Sequence, residues 1–246
     1  MQVEGGKLLD VDRVPNLKAK PPGLAMRSLA LVVPGIREVS AQIEPYTQWW
    51  DDQNQRALAA DGPLLAVIGD STAIGIGASA PESGYINLVR QALSRQDQKQ
   101  WRVINMAQSG ARTADGLERQ LPVIEALHAG ASPPALTICV IGTNDVVWSN
   151  ETAELRRRLS ELIGRLPEGA LVGPVAGGSE RARTANRAIR NAAGERGLSV
   201  IDLWNEPGPP AQDRLAADRF HPNDVGHSLM AKPFIRHLNT GETGTR

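Results

Sequence analysis

The chain has 246 residues, room for one α/β domain with a sizeable core or at most two small ones, and one domain is the better reading. Its 27 basic and 27 acidic side chains cancel, so no basic field exists to hold nucleic acid or anionic lipid, which argues against a nucleic-acid binder. The lone cysteine, Cys139, excludes an intrachain disulfide framework and a cysteine-based zinc site, and its apolar setting reads as a buried, inert thiol.

Residues 1 to about 34 read as an irregular extension, because Pro15, Pro21, Pro22 and Pro34 interrupt every candidate helix. This extension is expected to wrap the domain or be partly mobile. The first 20 residues carry charges and no apolar core, so no ordinary secretory signal is seen and a cytoplasmic location is expected. The longest apolar stretch, 23–36, contains Arg27 and falls short of the ~18 to 20 apolar residues that a spanning helix needs; peripheral membrane contact is the most it offers. From 35 to 60 the composition is helical, with Pro45 kinking or splitting the helix, and this segment is expected to pack on the domain that begins near residue 61.

After Asp61-Gly62-Pro63 the pattern turns regular. Apolar runs of strand length at 64–68, 102–106, 136–141, 170–174 and 198–203 alternate with amphipathic stretches near 82–95, 113–128, 152–166, 180–196 and 223–238. Short apolar strands separated by helices predict parallel βαβ units and a three-layer α/β/α sandwich over 61–240, with a frayed tail at 241–246.

In such a sheet ligands bind beyond the carboxyl ends of the strands. The first strand leaves through Gly69-Asp70-Ser71, the second through a segment containing Gly110, and the third through Gly142-Thr143-Asn144-Asp145. After the fifth comes Asp218-Arg219-Phe220-His221, a carboxylate three residues before a histidine. Acyl transfer to a serine needs a hydroxyl, a base, a group to orient the base and donors for the oxyanion. Ser71 fits the nucleophile, His221 the general base and then acid, and Asp218 the partner that holds the imidazole. The oxyanion donors would be the backbone N–H groups of Ser71 and Gly110 and the side-chain amide of Asn144, each worth on the order of 3 kcal/mol.

These four segments resemble the blocks of the GDSL, or SGNH, hydrolase family, in family order, over 64 to about 238. The resemblance implies a five-stranded parallel sheet of order 2-1-3-4-5, a shallow open site, and hydrolysis of carboxylic esters or thioesters without metal or organic cofactor. Thr72 stands where the family often has leucine, a departure with little bearing on chemistry. The first 60 residues are outside the resemblance.

Blander readings stand beside these: Gly-Asp-Ser is a common turn, and His221 alone could cap the last helix. Asp70 and Asp145 are expected to bond nearby backbone, His227 to pack rather than ligate, His128 and His237 to be solvated, and Arg112 to be solvated as well. Trp148 fits an acyl pocket or an ordinary position equally well, and Arg156-Arg157-Arg158 among Glu151, Glu154 and Glu161 reads as a salt-bridged helix face. A serine esterase favouring short to medium acyl groups on a small-molecule, lipid or carbohydrate ester is the leading reading. An acyltransferase using the same acyl-enzyme is the second, and a non-catalytic lipid or carbohydrate binder the third.

Overall fold

A computed structural model describes residues 33–149 and 151–240; the expected extension before residue 33 and the tail at 241–246 lie outside the described residues. Five parallel strands form one sheet in the order β2-β1-β3-β4-β5: β1 Leu64–Gly69, β2 Arg102–Asn105, β3 Leu136–Val140, β4 Leu171–Val172 and β5 Ser199–Val200. Central β1 is buried along its whole length. Because successive side chains alternate faces, Leu64, Ala66 and Ile68 enter one core while Leu65 and Val67 enter the other. The sheet is thereby covered on both sides, giving the expected three layers and strand order.

Helices α1 Pro34–Ser40, α2 Ile43–Ala59, α4 Tyr85–Asp97 and α10 Asp224–Thr240 cover one face, with Trp50, Tyr85 and Phe234 in its core. The other face carries α6 Leu121–Ala129, α8 Thr152–Gly164 and α9 Glu180–Glu195. Two short helices, α3 Ser71–Ile74 and α7 Thr143–Trp148, leave the ends of β1 and β3, and α5 Thr113–Asp115 opens the segment after β2.

Three local expectations need correction. Strands β4 and β5 are two residues each, shorter than the apolar runs that encode them, because Pro174 has no N–H to continue the ladder. The N-terminal helix breaks at Ala41-Gln42 rather than at Pro45. Pro45 sits in the first turn of α2, where a backbone N–H has no intrahelical acceptor to lose. The stretch expected as one helix over 113–128 contains a π-helical turn, Gly116–Gln120, just ahead of Pro122, which lacks the N–H that a continuous α-helix would give to Glu118.

That π turn aims the Gln120 amide at β1. Gly69 N donates to Gln120 Oε1 (2.9 Å) and Gln120 Nε2 donates to Gly69 O (3.0 Å), a reciprocal pair that extends the ladder two residues before Ser71. Gln120 is fully buried. Replacing it with methionine keeps the volume and strands the Gly69 amide, so Gln120→Met should cost about 2–4 kcal/mol of stability. Urea denaturation checks this, and an unchanged midpoint refutes it.

Candidate active site

Ser71 opens the one-turn helix α3 directly at the end of β1. The turn is sharp enough that a Cβ at Gly69 would collide with the Ala73 Cβ, which explains the glycine. Asp70 caps the turn: its Oδ1 accepts from Thr72 N (3.0 Å) and from Thr72 Oγ1 (2.8 Å). Gly75, at φ +97°, ends it by donating to Thr72 O. Both neighbours of Ser71 are therefore fixed by local chemistry, and Asp70 serves the backbone as expected.

His221 lies in the loop between the 3₁₀ turn Ala211–Arg214 and α10. Ala216 N donates to His221 O (2.8 Å), and Leu215 bridges Pro222, so the loop folds back on itself. Within it Asp218 Oδ1 accepts from the N–H groups of Phe220 and His221 (3.0 Å each), and Asp218 Oδ2 lies 2.6 Å from His221 Nδ1. The other ring nitrogen, Nε2, is 2.9 Å from Ser71 Oγ. With an ionised Asp218, Nδ1 carries the proton and Nε2 is left to accept from the serine hydroxyl. Burial opposes ionisation of Asp218, but the hydrogen bond and charge of His221 and the two backbone donors outweigh it and hold the carboxyl below its ordinary range.

The other two segments meet at the same sheet edge. Gly110 has φ +73° in the turn after β2, and Gln108 N donates to Gly69 O (3.3 Å), bringing this loop beside the serine turn. Asn144, in α7 at the end of β3, is buried and donates from Nδ2 to Ala111 O (2.9 Å), beside Gly110. Asp145 accepts from Thr113 N (2.8 Å) and from Thr113 Oγ1 (3.1 Å), a second tie between the same two loops. Burial raises the pKa of both Asp70 and Asp145, and the threonine donors partly offset it. Ser71, His221 and Asp218 thus form one hydrogen-bonded line, and Gly110 and Asn144 sit on loops tied to each other alongside it.

The remaining sequence expectations divide. Cys139 is buried, with its thiol pushed up to about 12. Arg157 pairs with Glu154 and Glu161, and Arg158 with Glu154, so that run is a salt-bridged helix face. Trp148 is half exposed and its carbonyl accepts from Arg112 Nη2 (3.4 Å), so Arg112 is not simply solvated. Nor is His128, whose Nε2 lies 3.1 Å from Thr137 Oγ1 in a part-buried setting. Among the described residues no group of three or more His, Cys, Asp and Glu side chains is placed to hold a metal ion, and no helix is long and apolar enough to cross a membrane.

Sequence reasoning missed the amides behind the site. Asn105 Nδ2 donates to Ala73 O (2.8 Å) and its Oδ1 accepts from Ala107 N (3.0 Å), linking the serine turn to the end of β2. A lone asparagine closing an apolar strand was the available signal.

Residues 67–229 match the model of the GDSL-like lipase/acylhydrolase family. The chain belongs to this family. It is 32% identical over 192 residues to the GDSL-like esterase Rv1075c of Mycobacterium tuberculosis, a match covering 68% of this chain and 59% of that protein, so it spans less than two thirds of that relative. The lipase Lip_vut3 from a goat rumen metagenome superposes with a TM-score of 0.57 at 16% identity, over 74% of this chain and all of its own. TesA superposes with a TM-score of 0.58 at 22% identity, over 72% of this chain and 98% of its own. At those identities the two structures establish the shared fold.

His227 packs as expected, wholly buried beneath the site in this GDSL-family fold. It is stacked on Tyr85, with Nδ1 3.3 Å from Tyr85 N and Nε2 3.2 Å from Ile76 O. Burial holds its pKa down to about 4. As pH falls, the unfolded chain takes up this proton near ~6.5 while the folded protein resists until about 4, so stability present at neutral pH is lost between the two values. The contribution is about 2–3 kcal/mol by pH ~4.5. Denaturant melts at pH ~7 and ~4.5 should show wild type losing more than His227→Gln by about that amount, and equal losses would refute it.

Proposed function

We propose that this protein is a serine hydrolase of carboxylic esters in which Ser71, His221 and Asp218 form the catalytic triad. The observation that carries the reading is the line from Asp218 through His221 to Ser71, with spacings of 2.6 and 2.9 Å. Ser71 Oγ attacks the ester carbonyl carbon as its proton passes to His221 Nε2; the carbonyl π bond becomes an oxyanion. Asp218 stabilises the imidazolium without taking its proton. The oxyanion is met by the N–H groups of Ser71 and Gly110 and by the Asn144 amide, whose orientation is fixed by its bond to Ala111 O. Collapse breaks the ester C–O bond, His221 returns the proton to the leaving alcohol, and water repeats the cycle on the acyl-enzyme.

Val147, Trp148, Phe220 and Val225 are between 42% and 52% exposed, and all lie within four residues of Asn144 or His221. Exposed apolar side chains this close along the chain to Asn144 and His221 support small to medium acyl groups resting on a surface rather than a long chain held in a tunnel. The name of the M. tuberculosis relative, a GDSL-like esterase, agrees with ester chemistry.

The test is hydrolysis of p-nitrophenyl esters from acetate to palmitate beside fluorophosphonate labelling. Ser71→Ala should abolish both while remaining folded. Asn144→Ala should lower kcat by about 100- to 1,000-fold, and Asp218→Asn by about 10,000-fold because an amide favours the wrong imidazole tautomer. Turnover that survives Ser71→Ala would overturn the assignment, and best activity on palmitate would overturn the chain-length preference. Serine-dependent labelling without hydrolysis of any ester would favour acyl transfer to a hydroxyl acceptor instead.

A further inference from the structure

Helix α2 lies wholly before the family-matched region, yet one stripe of its side chains is bonded to the backbone around Ser71. Gln42, Tyr46, Trp50 and Asn54 succeed one another at steps of four, from the N-cap of α2 onward, which keeps them on one face over about 18 Å. Gln42 Nε2 donates to Ala78 O (3.2 Å) and its Oε1 accepts from Gly77 N (2.8 Å). Tyr46 Oη donates to Ala78 O (2.8 Å) and Trp50 Nε1 to Ile74 O (2.8 Å). Asn54 Nδ2 donates to Asn105 O (3.0 Å), and Asn54 Oδ1 accepts from Asn105 N (2.8 Å). Asn105 in turn holds Ala73 O.

The partners are not scattered. Ala73 and Ile74 belong to the turn that Ser71 opens, so two of its carbonyls are set by groups outside it. Gly77 is the point where this segment touches the histidine loop: a Cβ there would collide with Pro222 O and with the Cβ of His221. From the opposite side, Asp224 Oδ1 accepts from Ser79 N (2.7 Å) and His227 lies against Ile76 O. The stretch 74–79 therefore bridges the serine turn and the histidine loop, and α2 holds it at both ends. Docking a helix needs only apolar contact, which Ala57 and the Trp50 ring supply. Three polar groups aimed at the 74–79 backbone, and a fourth at the Asn105 that holds Ala73 O, do more than dock.

We propose that Gln42, Tyr46, Trp50 and Asn54 are positioning residues, and that α2 sets the distance between Ser71 and His221. This rests on the serine-hydrolase reading above. Tyr46→Phe removes one hydroxyl, and Trp50→Phe removes the indole N–H; the variants are made singly and together in the full chain. The double variant should lose about 10- to 100-fold in kcat on p-nitrophenyl butyrate and in the rate constant for fluorophosphonate labelling, with KM within about twofold, since misplacement by a fraction of an ångström is felt at the bond-forming step. Amide exchange in peptides spanning 71–79 should quicken. Leu162→Ala, in the opposite core layer, is the control: it should lower the melting temperature at least as far with no change in labelling rate.

Wild-type rates and wild-type exchange in the double variant, or an equal loss of rate in Leu162→Ala, would overturn the proposal. Tyr46→Phe alone, which leaves the ring in place, serves if the double variant does not fold; its labelling rate and 71–79 exchange must still move. Absence of labelling in wild type would overturn the serine-hydrolase reading, and the exchange comparison would then decide whether α2 holds this segment.

Discussion

The contact of 2.9 Å between Ser71 Oγ and His221 Nε2 joins residues 150 positions apart. It forms only if two loops from different ends of the chain stop within a few tenths of an ångström of each other. The parallel sheet provides the coarse part of that placement, because every strand points the same way and every exit loop falls on one edge. The fine part cannot come from the sheet, since loops carry their own conformational freedom. It comes from buried side chains that grip backbone.

Those grips share a chemistry. Gln120 on Gly69, Asn105 on Ala73 and Ala107, and Asn54 on Asn105 all use an amide that offers donor and acceptor together, as a strand neighbour would. A neutral amide does this without the desolvation that a charge incurs. The carboxylates that do the same work, Asp70 and Asp145, show that cost in their raised pKa values. Asp218 is the exception among the three. Its bonds to His221 and to two backbone N–H groups overcome burial, so the carboxylate opposite the imidazole stays charged.

Much of this was legible in the sequence because periodicity and strand-exit residues carry it. The five apolar runs located all five strands, and four short segments, three at strand exits and one well beyond β5, marked Ser71, Asp218 and His221, which the fold joins in one hydrogen-bonded line, and Gly110 and Asn144 on the loops beside it. Local misreadings have local causes: Pro174 truncates β4, and Pro122 comes just after a π turn that no apolar pattern encodes. The amide grips were illegible for another reason. Gln120 and Asn54 look like polar residues of a solvated face until the fold brings a backbone group to them, and residue type alone does not name a partner 51 positions away.

The stripe on α2 lies between these cases. A step of four in Gln42, Tyr46, Trp50 and Asn54 is visible in the sequence, but a hydrophobicity count registers only the rings and treats the two amides as the exposed side. The structure reverses that reading, since Asn54 is buried and its amide completes the outer edge of β2, the strand at the rim of the sheet. An edge strand presents unpaired N–H and C=O groups that require a partner or a cover. Covering it with a helix solves that problem and also puts the same helix within reach of the loop that leaves β1. A requirement of sheet stability thus supplies the support that an open site needs.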